Sequence, residues 1–188
     1  MFVEAIETAD RFTRPIHFIL RYYGSPEILP GSATLFFVNE QGCAVTCKHV
    51  AQQLLQIEPV YAHYLKFKAE YQRFERDRRA DLHRKKLEET YRLTPQTPIR
   101  IKASFVNTVS GFSSYTVHLH PTHDLAIIEF KDFTARHYSG HAVFLRNSQL
   151  VKQGRYLCRL GYPFPEFTNY RYNPQLDDIE WTQEGRAQ

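Results

Sequence analysis

Two side chains in this sequence, His49 and Asp124, have the types and settings that acid–base chemistry requires. His49 follows the apolar run Cys43-Ala44-Val45-Thr46-Cys47, and Asp124 opens the run Leu125-Ala126-Ile127-Ile128. An imidazole titrates near neutral pH, so it can take a proton from a hydroxyl and return it to a leaving group. A carboxylate bonded to the other ring nitrogen fixes the tautomer and stabilises the imidazolium. Together they are two thirds of a Ser-His-Asp constellation. The nucleophile is not evident: no Gly-x-Ser-Gly segment lies between Asp124 and Gln188. Ser113 and Ser114 precede the aspartate, and Ser139 and Ser148 fall in a polar link.

A second grouping, His118-x-His120-x-x-His123-Asp124, invites a metal reading. On a strand His118 and His120 would share one face. The spacing matches no zinc signature, and alternation on a polar strand face explains the histidines without an ion. No metal and no cofactor is expected.

The elements that must position these groups show in the apolar periods. Residues 16–23 and 32–38 read as strands; Asn39-Glu40-Gln41-Gly42 reads as a turn into a third strand, Cys43–Cys47. Both chemical residues therefore sit at strand ends, His49 after one and Asp124 before another. From Glu58 or Pro59 to Leu93 the period becomes helical, with Tyr61, Tyr64, Leu65, Phe67, Tyr71 and Phe74 as its stripe. Pro59 suits the first turn of that helix. Strict alternation returns in Ile99–Phe105 and again in Tyr115–Leu119; Asp124–Phe130 is a near-continuous apolar run. Arg155–Pro163 reads as a further strand closed by a Gly/Pro turn, and the tail beyond Pro165 is irregular.

Composition bounds the function. The 188 residues suit one domain or two small ones, and 43% hydrophobic with 14% aromatic content supplies a core. The net charge of +4 resides between Lys66 and Arg92, where ten Lys/Arg mix with six Asp/Glu; the remaining 14 and 14 cancel. That mixture describes a solvated helix face rather than a phosphate track, so no nucleic-acid partner is expected. Cys43, Cys47 and Cys158 are an odd set without disulfide spacing. On one strand Cys43 and Cys47 would lie about 13 Å apart, too far to bridge. The acidic first ten residues lack an export-signal pattern, and no apolar stretch approaches the roughly 20 residues that span a bilayer. A reduced, cytoplasmic protein without a membrane partner is the expectation.

Three segments taken in order resemble trypsin-like serine peptidases. Gly31-Ser32-Ala33-Thr34-Leu35-Phe36-Phe37-Val38-Asn39, Gly42 and Val45-Thr46-Cys47-Lys48-His49-Val50 are similar to that family's Gly-x-Gly-Phe-x-Val, turn, Leu-Thr-Ala-Ala-His. Asp124-Leu125-Ala126-Ile127-Ile128 resembles its Asp-Leu-Ala-Leu-Leu segment, and Leu160-Gly161-Tyr162-Pro163 an early turn of its second barrel. Cys47 and Lys48 depart from the small residues usual before the histidine. The resemblance implies an all-β, trypsin-like double barrel. The first barrel would occupy 12–135 with a helical insertion at about 59–93; 136–188 would be a linker and the opening strands of a second, incomplete barrel. It implies His49 as general base, Asp124 as its orienting partner, a protein or peptide substrate, and a serine beyond Gln188. The 188 residues alone are then not expected to hydrolyse peptides. The insertion, aromatic in its first half, is the expected place for a protein partner. The alternatives are a catalytically inactive scaffold module of the same fold and, behind it, the histidine-cluster metal protein.

Overall fold

Asn39-Glu40-Gln41-Gly42 turns one apolar strand into the next because its residues favour that geometry. The Asn39 side-chain oxygen accepts from Gln41 and Cys43 N–H groups at 3.0 and 2.9 Å, and Gly42 adopts φ +84°. A Cβ at Gly42 would stand 2.7 Å from the Phe133 ring and 3.2 Å from the Phe130 carbonyl, so only glycine fits. The resulting hairpin lies within a chain whose computed structural model describes residues 2–154, 156–164 and 170–182.

Helix α1 (Val3–Asp10) leads into strands β1 (Thr13–Tyr22), β2 (Ile28–Phe37) and β3 (Cys43–Thr46). Helices α2 (Lys48–Gln72) and α3 (Ala80–Tyr91) follow. Next come β4 (Pro98–Phe105), β5 (Val109–Ser110), β6 (Ser114–Leu119), β7 (Ala126–Lys131) and β8 (Ala135–Arg136). A 3-10 turn at Ser148–Leu150 precedes the final hairpin, β9 (Tyr170–Asn173) and β10 (Asp178–Trp181). Six strands form an antiparallel sheet in the order β4-β1-β2-β3-β7-β6. Its first four members have the spatial order 4-1-2-3 of a Greek key, with α2 and α3 in the long return from β3 to β4. The chain is thus mainly β with helical interruptions.

The chain folds as two units: residues 1–17, 32–52 and 104–164, and residues 18–31, 53–103 and 165–188. The first unit is built on Phe37, Leu35, Ala44, Ile128 and Phe130, all buried. Phe37 stacks on Tyr138 with ring centroids 3.5 Å apart, and Phe130 meets Phe105 and Phe112 edge-on. Strand β7 alternates, with Ala126, Ile128 and Phe130 buried and Ile127 and Glu129 more open. Its near-continuous apolar run therefore hides one face only.

In the second unit the aromatic stripe is placed as its spacing indicates. Tyr64 and Phe67 are buried with Tyr23, Leu93 and Ile99, and Tyr61, Leu87 and Tyr91 pack around them. Tyr64 and Phe67 of the insertion's aromatic half thus pack into their own unit's core, while Leu65 beside them is exposed. Beside it, Asp177 accepts from Arg21, Tyr64 and Tyr172 and pairs with Lys68 at 2.8 Å. Burial pushes this carboxyl up, but the bonds from Lys68, Tyr64, Arg21 and Tyr172 outweigh it and hold its pKa at about 2. A depressed pKa stabilises the fold above the ordinary carboxylate value of 3.8, and that contribution is lost as pH falls through about 2. Asp177→Asn is expected to cost about 2–3 kcal/mol at neutral pH, since charged hydrogen bonds are lost. Urea midpoints should fall between pH 4 and 2 in the parent and change less in the variant.

Three sequence expectations are corrected. The helix begins at Lys48 rather than near Pro59, which lies inside α2. Proline lacks an N–H and opposes the carbonyl four residues back, so an interior position costs stability that the buried aromatic face offsets. The helical stretch is also broken between Gln72 and Ala80. Finally, residues 156–163 form no strand; Arg155 lies outside the described residues. Tyr156 and Leu157 are exposed there, and without a neighbouring strand the backbone gains no ladder. The tail, by contrast, contains a hairpin, β9–β10, turning at Asn173-Pro174.

Candidate functional site

The register of β3 against β7 brings the two chemical residues together. Ala44 faces Ile128, Val45 faces Ile127 and Thr46 faces Ala126 in antiparallel pairing. The chain leaving β3 therefore meets the chain entering β7, although His49 and Asp124 are 75 residues apart. His49 is not a strand-end residue. It stands in the first turn of α2, whose opening bond runs from Ala51 N–H to the Cys47 carbonyl at 3.0 Å. Val50 and Ala51 are buried and anchor that turn.

The helix start explains why Asp124 is held so firmly. First-turn N–H groups have no partner inside their own helix and favour a negative charge nearby. Asp124 Oδ1 accepts from the His49 backbone N–H at 2.9 Å, and Oδ2 lies 2.7 Å from His49 Nδ1. One carboxylate thus binds the same residue twice, through backbone and ring. The backbone bond and then the ring bond hold the Asp124 carboxyl below its usual range. It stays ionised well into acid. Both side chains remain open, 64% and 57% exposed, and Nε2 has no hydrogen bond among the described residues.

Lys48 and His120 position the loop that carries Asp124. Lys48 Nζ donates to the His120 and Pro121 carbonyls at 2.9 and 3.2 Å. His120 Nδ1 accepts from the Thr122 and His123 N–H groups, and His120 N–H donates to the Leu125 carbonyl at 2.9 Å. An acceptor Nδ1 requires the neutral ring with its proton on Nε2. Lys48→Met should loosen this loop. The expected result is an Asp124 carboxyl titration, read by carbon NMR, displaced upward toward the ordinary carboxylate value.

The histidine cluster is not drawn onto one ion. His118 reaches Glu129 at 3.5 Å, while His120 is occupied with the loop backbone. Among the described residues the one group with ligand atoms mutually close enough is Cys47, His49 and Asp124, all exposed. In the sequence Cys47 stands out only as a departure from the small residues usual there; its position two residues before His49 is the available signal. Of the serines, Ser113 Oγ donates to Asp132 at 2.8 Å and is not part of this site. Tyr162 of the Gly-Tyr-Pro turn is fastened by its N–H to Thr34 Oγ1 at 2.8 Å and by its hydroxyl to Asp10.

The site so described is an exposed imidazole with one nitrogen tied to a carboxylate and the other open. It suits proton transfer with a group approaching Nε2. Comparison of the chain with protein-family models, curated proteins and solved structures yields no match. No helix among the described residues is long and apolar enough to cross a membrane.

Proposed function

We propose that this chain supplies the general base and its orienting carboxylate to a serine peptidase of trypsin-like architecture. The observation that carries the reading is the 2.7 Å contact of His49 Nδ1 with Asp124, reinforced by the His49 N–H bond to the same carboxylate. The Greek-key strand order and the placement of both residues at the β3–β7 register support it. The reading requires a nucleophilic serine and oxyanion-hole amides in addition to the residues described.

The steps are those that a serine nucleophile beside His49 Nε2 would take. His49 Nε2 takes the serine proton as the oxygen attacks the substrate carbonyl carbon, forming a tetrahedral adduct and an imidazolium. Asp124, still ionised, stabilises that cation through Nδ1–H. The proton passes to the departing amine as the C–N bond breaks and an ester remains on the serine. Water then enters and gives a proton to Nε2 as its oxygen attacks the ester carbon; the bond to the serine oxygen breaks, that oxygen takes the proton back from Nε2, and the acid leaves.

The test uses the protein continued past Gln188, incubated with an unfolded protein substrate and separately with a fluorophosphonate. Hydrolysis and labelling of one serine, both lost in His49→Ala, are expected. Neither occurring in a folded preparation would refute the peptidase and leave the inactive scaffold of the same fold.

A further inference from the structure

Cys47 has no part in the proton transfers above, yet it stands at the mouth of the site. One ligand atom each from Cys47, His49 and Asp124 lies within 4.8 Å of the other two. Cys47 is a free, exposed thiol, and the remaining two side chains are exposed as well. A thiolate, an imidazole nitrogen and a carboxylate oxygen are the three donor types that zinc accepts, at about 2.3, 2.0–2.1 and 2.0–2.2 Å. Tetrahedral bonding at those lengths sets the donors about 3.3–3.8 Å apart. Seating an ion would bring the trio, now within 4.8 Å, to that spacing by side-chain adjustment.

We propose that Cys47, His49 and Asp124 form a binding site for a single zinc ion, and that an ion seated there withholds His49 from acting as a base. Three protein donors leave a fourth position for water, the arrangement of an open rather than a closed zinc site. The sulfur and imidazole donors select zinc over magnesium or calcium, which prefer all-oxygen ligands. Binding releases the Cys47 thiol proton.

The inhibitory consequence holds whichever ring nitrogen binds. An ion on Nε2 occupies the lone pair that must accept the serine proton. An ion on Nδ1 replaces the hydrogen bond to Asp124 and draws the carboxylate to itself. In either case base and metal compete for the same atoms. This regulatory half rests on the peptidase reading; the binding half does not.

The binding test uses the 188-residue chain, reduced and without a histidine tag, titrated with zinc chloride against a chromophoric chelator. One ion per chain is expected, with affinity falling at least about tenfold in Cys47→Ser and in Asp124→Asn, as loss of a ligand demands. Cobalt(II) added in place of zinc should give a thiolate charge-transfer band that Cys47→Ser abolishes. Absence of zinc binding, or binding equal in parent and Cys47→Ser, overturns the site. For regulation, the extended protein and its Cys47→Ser form are each assayed with and without zinc, then with excess chelator. Reversible loss of hydrolysis in the parent alone supports the inhibitory role, and equal loss in both forms overturns it. If the extended protein has no hydrolytic activity the peptidase reading fails, while the chelator titration still decides the zinc site.

Discussion

On the proposed peptidase reading, Asp124→Asn is expected to lower kcat of the protein continued past Gln188 about ten-thousandfold, with KM little changed. The reason lies in the double contact. An asparagine at this position can keep its side-chain oxygen on the His49 backbone N–H, because that partner is fixed by the first turn of α2. Its amide nitrogen then faces Nδ1, where Asp124 Oδ2 now sits at 2.7 Å. An N–H facing Nδ1 requires that nitrogen to be the acceptor, which puts the ring proton on Nε2. The nitrogen that takes the serine proton on that reading is then already protonated. A loss confined to kcat identifies a tautomer fault, whereas a matching rise in KM would identify a displaced loop. Kinetics on an unfolded protein substrate, with circular dichroism to confirm folding, separates the two.

Phe37→Ala should destabilise the protein by about 3–5 kcal/mol, the usual cost of emptying a buried aromatic site. Phe37 is fully buried, stacks on Tyr138 and lies 6.1 Å from Phe130. Its N–H donates to the Phe12 carbonyl, and its own carbonyl accepts from Ala142 N–H. Tyr138 also carries the turn, since its hydroxyl accepts from Gly42 N–H and donates to the Asn39 carbonyl. A cavity at Phe37 therefore weakens the hairpin that delivers β3, and with it the register that pairs Thr46 with Ala126. The measurement is a shift of the urea midpoint at unchanged slope. Phe144→Ala is the control: that ring is 64% exposed, and its loss should change stability by no more than about 0.5 kcal/mol.

Much of the first unit is legible in the sequence because period and turn chemistry agree there. Asn39 to Gly42 names a turn, flanked by runs that alternate once paired. The aromatic spacing from Tyr61 to Tyr71 also names a helix, and the structure buries Tyr64 and Phe67 on its inner side. The helix start is hidden for a physical reason. Cys47-Lys48-His49 carries no serine, threonine or aspartate to announce a cap, because the acceptor for the His49 N–H comes from Asp124. Long-range capping leaves no local signal. Pro59, a first-turn residue by preference, then draws the expected boundary toward itself. The roles of Lys48 and His120 are hidden likewise: both act through backbone carbonyls and N–H groups of a loop, and residue types alone do not reveal such bonds. The β9–β10 hairpin gives only a faint signal: Asn173-Pro174 marks a turn, but each strand is four residues long and no Asn-Gly or Asp-Gly pair joins them.

The central claim is that Asp124 holds His49 with its proton on Nδ1 and leaves Nε2 free to accept another. Nitrogen-15 NMR of the imidazole in the 188-residue chain at neutral pH, in the absence of zinc, reads this directly. The account predicts a protonated Nδ1, shifted strongly downfield by the carboxylate, and an unprotonated Nε2, with the preference lost in Asp124→Ala. A ring protonated on Nε2, or a tautomer balance indifferent to Asp124→Ala, would contradict it.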